Sequence, residues 1–310
     1  MKYTKEKVAK ALKESNGNLK QTADSLQTAR SNLSTLLKKF NLDGLVKKEK
    51  TGPKVEVKSD AKILVFDIET APMQVYAWDL WKQDISIDAI ILDWYVLCWS
   101  AKWVGKDGVL HDALNMYKDY KSGNDCEFNV ISSIWELLEE ADIAVAHNGK
   151  AFDKKKLNAK FFQYGFPEPN YKLVDTMLIA KANFALTSNK LDYITKMTGG
   201  PGKIKTDFSL WKGCMAGNKE SWDKMVSYCD RDVLELERVY GAIRGWDKLA
   251  PNQNMYSDSV NSCNVCGQKV VYYKDYVTQT RKYELFRCES CGHTQRSREL
   301  LEKKDCMFNV

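Results

Sequence analysis

The run KILVFDIE (residues 62–69) constrains the fold more than any other segment. It follows a lysine-rich stretch, KKEKTGPKVEVKSD (47–60), which holds Gly52-Pro53 and almost no large apolar residue and reads as a linker. At Lys62 the pattern turns to strand. WYVLCWSAKWVG (94–105) and VLHDALNM (109–116) then read as a hairpin about Lys106-Asp107-Gly108. From there helix alternates with strand: helix over 127–141, strand over 141–148, helix over 152–165, a short strand over 171–177, and helices over 188–199 and 219–246. Strands first and alternation afterwards predict an α/β fold, a mixed sheet with helices on its faces, spanning residues 61–250.

The run ends in Asp67 and Glu69, two residues apart. On a strand that spacing sends both side chains to one face. Two carboxylates held together repel unless a cation lies between them, and an all-oxygen environment suits Mg²⁺. An exposed strand end with unrelated acids has the same spelling. Asp153 adds a carboxylate at the first turn of a helix after the strand AVAHN. Tyr228 and Asp232, four apart on the helix of 219–246, share a face. That helix is amphipathic through Trp222, Val226, Cys229, Val233, Leu236 and Tyr240.

In order along the chain, VFDIET, HNGKAFD and YCDRD resemble the three motifs of the DEDD exonuclease superfamily, in its tyrosine subgroup. The resemblance covers roughly residues 61–245. It implies a ribonuclease H-like fold and two-metal 3′→5′ hydrolysis of nucleic acid with release of nucleoside monophosphates. Asp67, Glu69, Asp153 and Asp232 match the family's Mg²⁺ (or Mn²⁺) ligands, and Tyr228 the residue that orients the attacking water. Thr70 and Ala71 match the segment that grips the 3′-terminal nucleotide, and Asn148 and Phe152 positions that line the substrate strand. A phenol with a reference pKa of about 10 is a poor base at neutral pH, so Tyr228 is read as a positioning partner of the water. About 60 residues flank the matched region on each side, too few for a polymerase, which points to a free-standing enzyme or one acting with a polymerase or other replication protein in trans.

Cys263-x2-Cys266 and Cys288-x2-Cys291 have the spacing of a four-thiolate zinc site, and a glycine after each second cysteine permits the tight turn. Residues 251–310 therefore look like a zinc ribbon and tail with one structural Zn²⁺. Interleaved Lys, Arg and Tyr between and beyond the knuckles favour single-strand binding, with a protein contact as the alternative. The other cysteines have no metal spacing.

Residues 1–46 read as short helices, and ALKESNGNLKQTADSLQTARSNLSTLLKKF resembles the helix-turn-helix of Fis-type DNA-binding domains. That resemblance places Arg30, Ser31, Asn32 and Thr35 towards the major groove and Lys38 and Lys39 on phosphates, with Gln27 where the family usually has glycine. A small helical protein-contact module is the alternative. Charge favours a polyanion: residues 1–60 hold 14 Lys/Arg against 7 Asp/Glu, net +7, whereas 61–250 hold 24 against 27, net −3. No apolar run approaches the ~20 residues of a membrane helix. MKYTKEKVAKALKE has no signal-peptide core, so the expected location is cytoplasmic, or the host cytoplasm for a viral protein.

Together these readings predict an exonuclease acting on single-stranded DNA 3′ ends, with helix-turn-helix and ribbon as accessory modules and no membrane partner. A ribonuclease or oligoribonuclease of the same fold, and a nucleic-acid-binding scaffold on an inactive nuclease fold, are the alternatives.

Overall fold

The computed structural model describes residues 3–15, 60–202, 204–258 and 261–305, with isolated positions between 22 and 42 and residue 307. Contacts divide the chain into two units, Met1–Thr51 and Gly52–Val310.

In the first unit, helix α1 (Lys5–Glu14) starts where the Thr4 side chain accepts a hydrogen bond from Lys7 N. Its inner face, Val8, Ala11 and Leu12, packs with Ala23, Leu26, Leu33, Leu37 and Leu42. Gln27 has φ +48°, the left-handed conformation that the resembled turn usually gives to glycine. Lys39 is exposed. Arg30, Ser31, Asn32, Thr35 and Lys38 lie outside the described residues.

The second unit is built on strands β1 (Ile63–Thr70), β2 (Gln74–Val75), β3 (Ile90–Leu92), β4 (Val96–Trp103), β5 (Leu110–Ala113), β6 (Ile143–Ala146) and β7 (Lys172–Asp175). Helices α2 (Glu127–Glu140), α3 (Asp153–Tyr164), α4 (Thr176–Asn183), α5 (Leu191–Met197), α6 (Phe208–Met215) and α7 (Lys219–Ile243) surround them. The main sheet runs β5-β4-β1-β6-β7. β1, β6 and β7 are parallel, β4 runs against β1, and β5, antiparallel to β4, runs with β1 again. This is the mixed sheet flanked by helices expected from the sequence, consistent with a ribonuclease H-like fold.

Alternation along β1 sorts its residues. Leu64, Phe66 and Ile68 join Val130, Ile131, Ile134 and Leu138 of α2 in one core. Ile63 and Val65 join Val233, Leu236 and Val239 of α7 in the other. Both faces of the sheet are thus covered, which is why β1 reads as an almost continuous apolar run. Two ion pairs, one half-buried and one buried, brace the layers. Lys102 Nζ on β4 reaches Glu237 Oε1 of α7 at 2.8 Å, and Lys160 Nζ on α3 reaches Glu127 Oε2 of α2 at 3.1 Å. Helices α4 and α6 were not expected. Each starts on an aspartate N-cap, Asp175 for α4 and Asp207 for α6.

The carboxyl-terminal strands β8 (Val270–Val277), β9 (Arg281–Cys288), β10 (Thr294–Arg296) and β11 (Glu302–Lys303) form a separate antiparallel sheet. It meets the end of α7 closely: a Cβ on Gly245 would fall 1.9 Å from the carbonyl oxygen of Cys291. Among the described residues, no helix is long and apolar enough to cross a membrane.

Candidate active site and zinc centre

Asp67 and Glu69 leave the core at the carboxyl end of β1, where the burial pattern first breaks. The register slips between Glu69 and Thr70, and a bulge of this kind re-aims the side chains beside it. Asp232, 1% exposed on α7, meets them, and carboxylate oxygens of Asp67, Glu69 and Asp232 all lie within 4.8 Å of one another. An oxygen-only trio this close fits a hard divalent cation. Cys229 sits behind it, its Sγ 3.5 Å from the carbonyl oxygen of Asp67 and 3.8 Å from Asp67 Oδ2. Burial pushes that thiol well above its ordinary pKa, so it stays neutral and leaves the donor set to oxygen.

Asp153 is not a member of that trio. It opens α3 and is 2% exposed. β6 runs parallel to β1, so the turn leading to Asp153 leaves the sheet at the same end as Asp67 and Glu69. Asp175, which no motif singled out, holds this turn. Its Oδ1 accepts from Asn148 N and its Oδ2 from Lys150 N, both at 3.0 Å, while Oδ1 also caps α4 through Met177 N and Leu178 N. Asn148 has φ +68°, and Gly149 packs so tightly that a Cβ would lie 2.4 Å from Ala146 Cβ. His147 is gripped on both ring nitrogens, by Thr176 Oγ1 at 2.9 Å and the Asn189 carbonyl at 2.8 Å. The turn is therefore fixed by long-range partners.

Tyr228 is 9% exposed, one turn before Asp232, with Trp211 edge-on at 6.2 Å. Trp211 lines a cleft of roughly 610 Å³ together with Thr70, Ala71, Trp94, Lys156 and Phe208. Thr70 and Ala71 thus border a cavity beside the acids. Phe152 is 37% exposed at the start of α3. Lys156 Nζ stands 3.6 Å over the Trp94 ring, and burial lowers its pKa. Trp94, Lys156, Phe208 and Trp211 were missed by motif reading. Aromatic content near the motifs was the available signal.

The four ribbon cysteines come together as their spacing predicts. Sγ–Sγ distances are 3.6 Å for Cys263–Cys291 and 3.5 Å for Cys266–Cys288 and Cys266–Cys291. A tetrahedron with Zn–S of 2.3 Å has edges of about 3.8 Å, so the thiols fit zinc. Gly267 N and Gly292 N bond back to the carbonyls of Cys263 and Cys288, closing the two knuckles. Hydrogen bonds among the packed thiols push Cys291 down and Cys263 up, and a metal held there would take all four as thiolates. His293 uses Nδ1 on the Gly245 carbonyl at 3.0 Å.

Residues 108–244 match the family RNase_H_2, described as RNase_H superfamily. The match covers less than half of the chain and contains Asp153, Tyr228 and Asp232 but not Asp67 and Glu69. No curated protein matches. Among solved structures, the family B DNA polymerase from the hyperthermophilic archaeon Pyrobaculum calidifontis aligns with 14% identity and a TM-score of 0.42, over 58% of this chain and 24% of the polymerase. The chain thus spans about a quarter of that protein's length. The family match and the fold support a nuclease-type function and nucleic acid as the ligand.

Proposed function

We propose that the chain is a metal-dependent 3′→5′ exonuclease acting on single-stranded DNA ends. The observation that carries this reading is the carboxylate trio Asp67–Glu69–Asp232, within 4.8 Å at the carboxyl end of β1, where residues far apart in sequence converge. These three, with Asp153 from the neighbouring turn, would hold divalent metal. Bound there, Mg²⁺ supplies Lewis-acid stabilisation of the phosphate and a water of lowered pKa. Tyr228 orients that water through its hydroxyl. Thr70 and Ala71 seat the terminal nucleotide in the cleft, with Trp94, Phe208 and Trp211 offering aromatic faces to the base. Asn148 and Phe152 line the strand behind it.

The first unit serves as a helix-turn-helix that meets DNA through Arg30, Lys38 and Lys39, and the glycine-like backbone of Gln27 supports that turn. The ribbon adds a second nucleic-acid surface, with Arg287 stacked 3.6 Å over Tyr273 and Arg296 4.2 Å over Tyr283. The test is to incubate purified protein with 5′-labelled single-stranded DNA and RNA, with Mg²⁺ or with EDTA. A ladder shortening from the 3′ end of DNA, lost in EDTA, is expected. Faster RNA shortening would move the substrate to RNA, and no cleavage of either would leave a binding scaffold.

A further inference from the structure

We propose that a basic groove along the outer edge of the main sheet binds the single-stranded nucleic acid leading away from the acids, an inference that rests on the nuclease reading. The groove, roughly 990 Å³, lies between β7, α4 and residues 247–256, and is lined by Lys150, Lys154, Lys172, Lys248, Leu178 and Met255 among others. β7 ends the sheet order, so this is an edge of the fold.

Its charge is unlike that of its surroundings. Residues 61–250 carry net −3, yet four lysines gather here. Lys154 is engaged by Glu168 at 3.0 Å. Lys150, Lys172 and Lys248 are exposed, and among the described residues none of the three forms an ion pair. The groove's own acids do not cancel them. Asp175 and Asp247 are both held by backbone N–H groups and form no ion pair with the lysines among the described residues, and four lysines against two aspartates leave the lining net positive. Unpaired lysines flanking exposed Leu178, Leu249 and Met255 offer phosphate contacts beside apolar surface, the combination a single strand requires.

Placement selects the ligand. β1, β6 and β7 are parallel, so Lys150 stands at the same end of the sheet as Asp67 and Glu69, and three residues before Asp153. From there the groove follows β7 back to Lys172, with Lys248 on the wall formed by residues 247–256. A polymer whose terminus lies at the acids can continue along it, whereas an acidic peptide has no reason to begin there.

The test uses the full chain carrying Asp67→Asn, so that binding is read without cleavage, and follows the anisotropy of a fluorescent oligothymidylate as salt is raised. Lys172→Glu with Lys248→Glu should reduce the slope of log affinity against log salt by about 1.4, at about 0.7 per phosphate contact on a single strand. Affinity at low salt should fall about tenfold or more. Lys118→Glu with Lys121→Glu changes net charge equally on another surface and should move neither. An unchanged slope with an unchanged melting temperature would overturn the groove, as would an equal loss in the control pair. Cleavage by the wild-type chain is scored separately: absence of Mg²⁺-dependent hydrolysis overturns the nuclease reading and leaves the binding comparison intact.

Discussion

His293 Nδ1 donates to the carbonyl of Gly245 at 3.0 Å, which ties the second zinc knuckle to the end of α7. On the other side of the same contact, the Cys291 carbonyl oxygen stands where a Gly245 side chain would begin. The ribbon is therefore seated on the helix that carries Tyr228 and Asp232. Gly245→Ala should lower the melting temperature by about 4–8 °C, the size of a loss near 2 kcal/mol in a domain this long. Zinc removal should lower it as well, because a metal held by the four cysteines would supply its binding energy to the folding of this sheet. Differential scanning calorimetry with and without chelator, alongside elemental zinc analysis, checks both. A Gly245→Ala protein as stable as wild type would mean the contact carries no load.

Replacing a carboxylate of the site should abolish hydrolysis while the fold survives. Asp67→Asn, Glu69→Gln and Asp232→Asn each remove one charge from a trio held within 4.8 Å without opening a cavity. Asp153→Asn tests whether the fourth acid works with them from its own turn. Tyr228→Phe should lower kcat by about a hundredfold, within the range of a lost proton-positioning group, and leave KM close to wild type. Single-turnover rates decide this, and near-wild-type turnover in any of the four acid variants removes that residue from the site.

Legibility in the sequence followed the strength of local pattern. β1 was readable as a short unbroken apolar run and α7 as an apolar period sustained over many turns, and the acids sit at fixed offsets on both. The ribbon cysteines were readable because zinc geometry imposes short spacings. Helices α4 and α6, each of eight residues, carry too few turns for a period to show, although Asp175 and Asp207 were available as cap signals. The clamp of Asp175 on Asn148 and Lys150 depends on β6 pairing with β7, a long-range event that no local pattern encodes. Trp78 and Trp81 are 102% and 79% exposed, although large aromatic side chains are usually well buried.

Asp175→Asn should impair hydrolysis without touching a metal ligand. The amide keeps one acceptor oxygen but turns a donor towards a backbone N–H, leaving Lys150 N or Asn148 N unsatisfied. An unmet hydrogen bond of about 1–3 kcal/mol corresponds to roughly a 5- to 150-fold fall in kcat/KM. Because the residue acts by holding the turn to Asp153, the concentration of Mg²⁺ needed for half-maximal rate should rise too. A purely structural role would lower the melting temperature and leave that Mg²⁺ dependence where it was.

Glu235 gives the fold a defined response to pH. It is 2% exposed on α7, and burial raises its pKa against the opposing pull of Arg238 and Arg231. The folded value therefore lies above the unfolded value of about 4.3. Below that value both states are protonated and nothing is lost. As pH rises, the unfolded chain ionises first, and stability declines until the folded pKa has been passed. Glu235→Gln cannot ionise, so its melting temperature relative to wild type should improve as pH rises above the unfolded value of about 4.3. A difference that stays constant, or shrinks, with rising pH refutes the assignment.

The two compact units should divide binding and chemistry between them. Residues 61–250, at net −3, must attract a polyanion despite their own acids, whereas residues 1–60 carry net +7. Lysine–phosphate contacts from that segment would release counterions and steepen the salt dependence of binding. Deleting residues 1–60 should raise KM on long DNA and flatten its dependence on salt. The rate at saturating substrate should hardly move, since loss of uniform binding leaves kcat alone. Oligonucleotides too short to reach both units should be cut equally well by the full-length and shortened chains. Equal losses of rate on short and long substrates would instead make the first unit part of the catalytic fold, and a tethered binding module would no longer describe it.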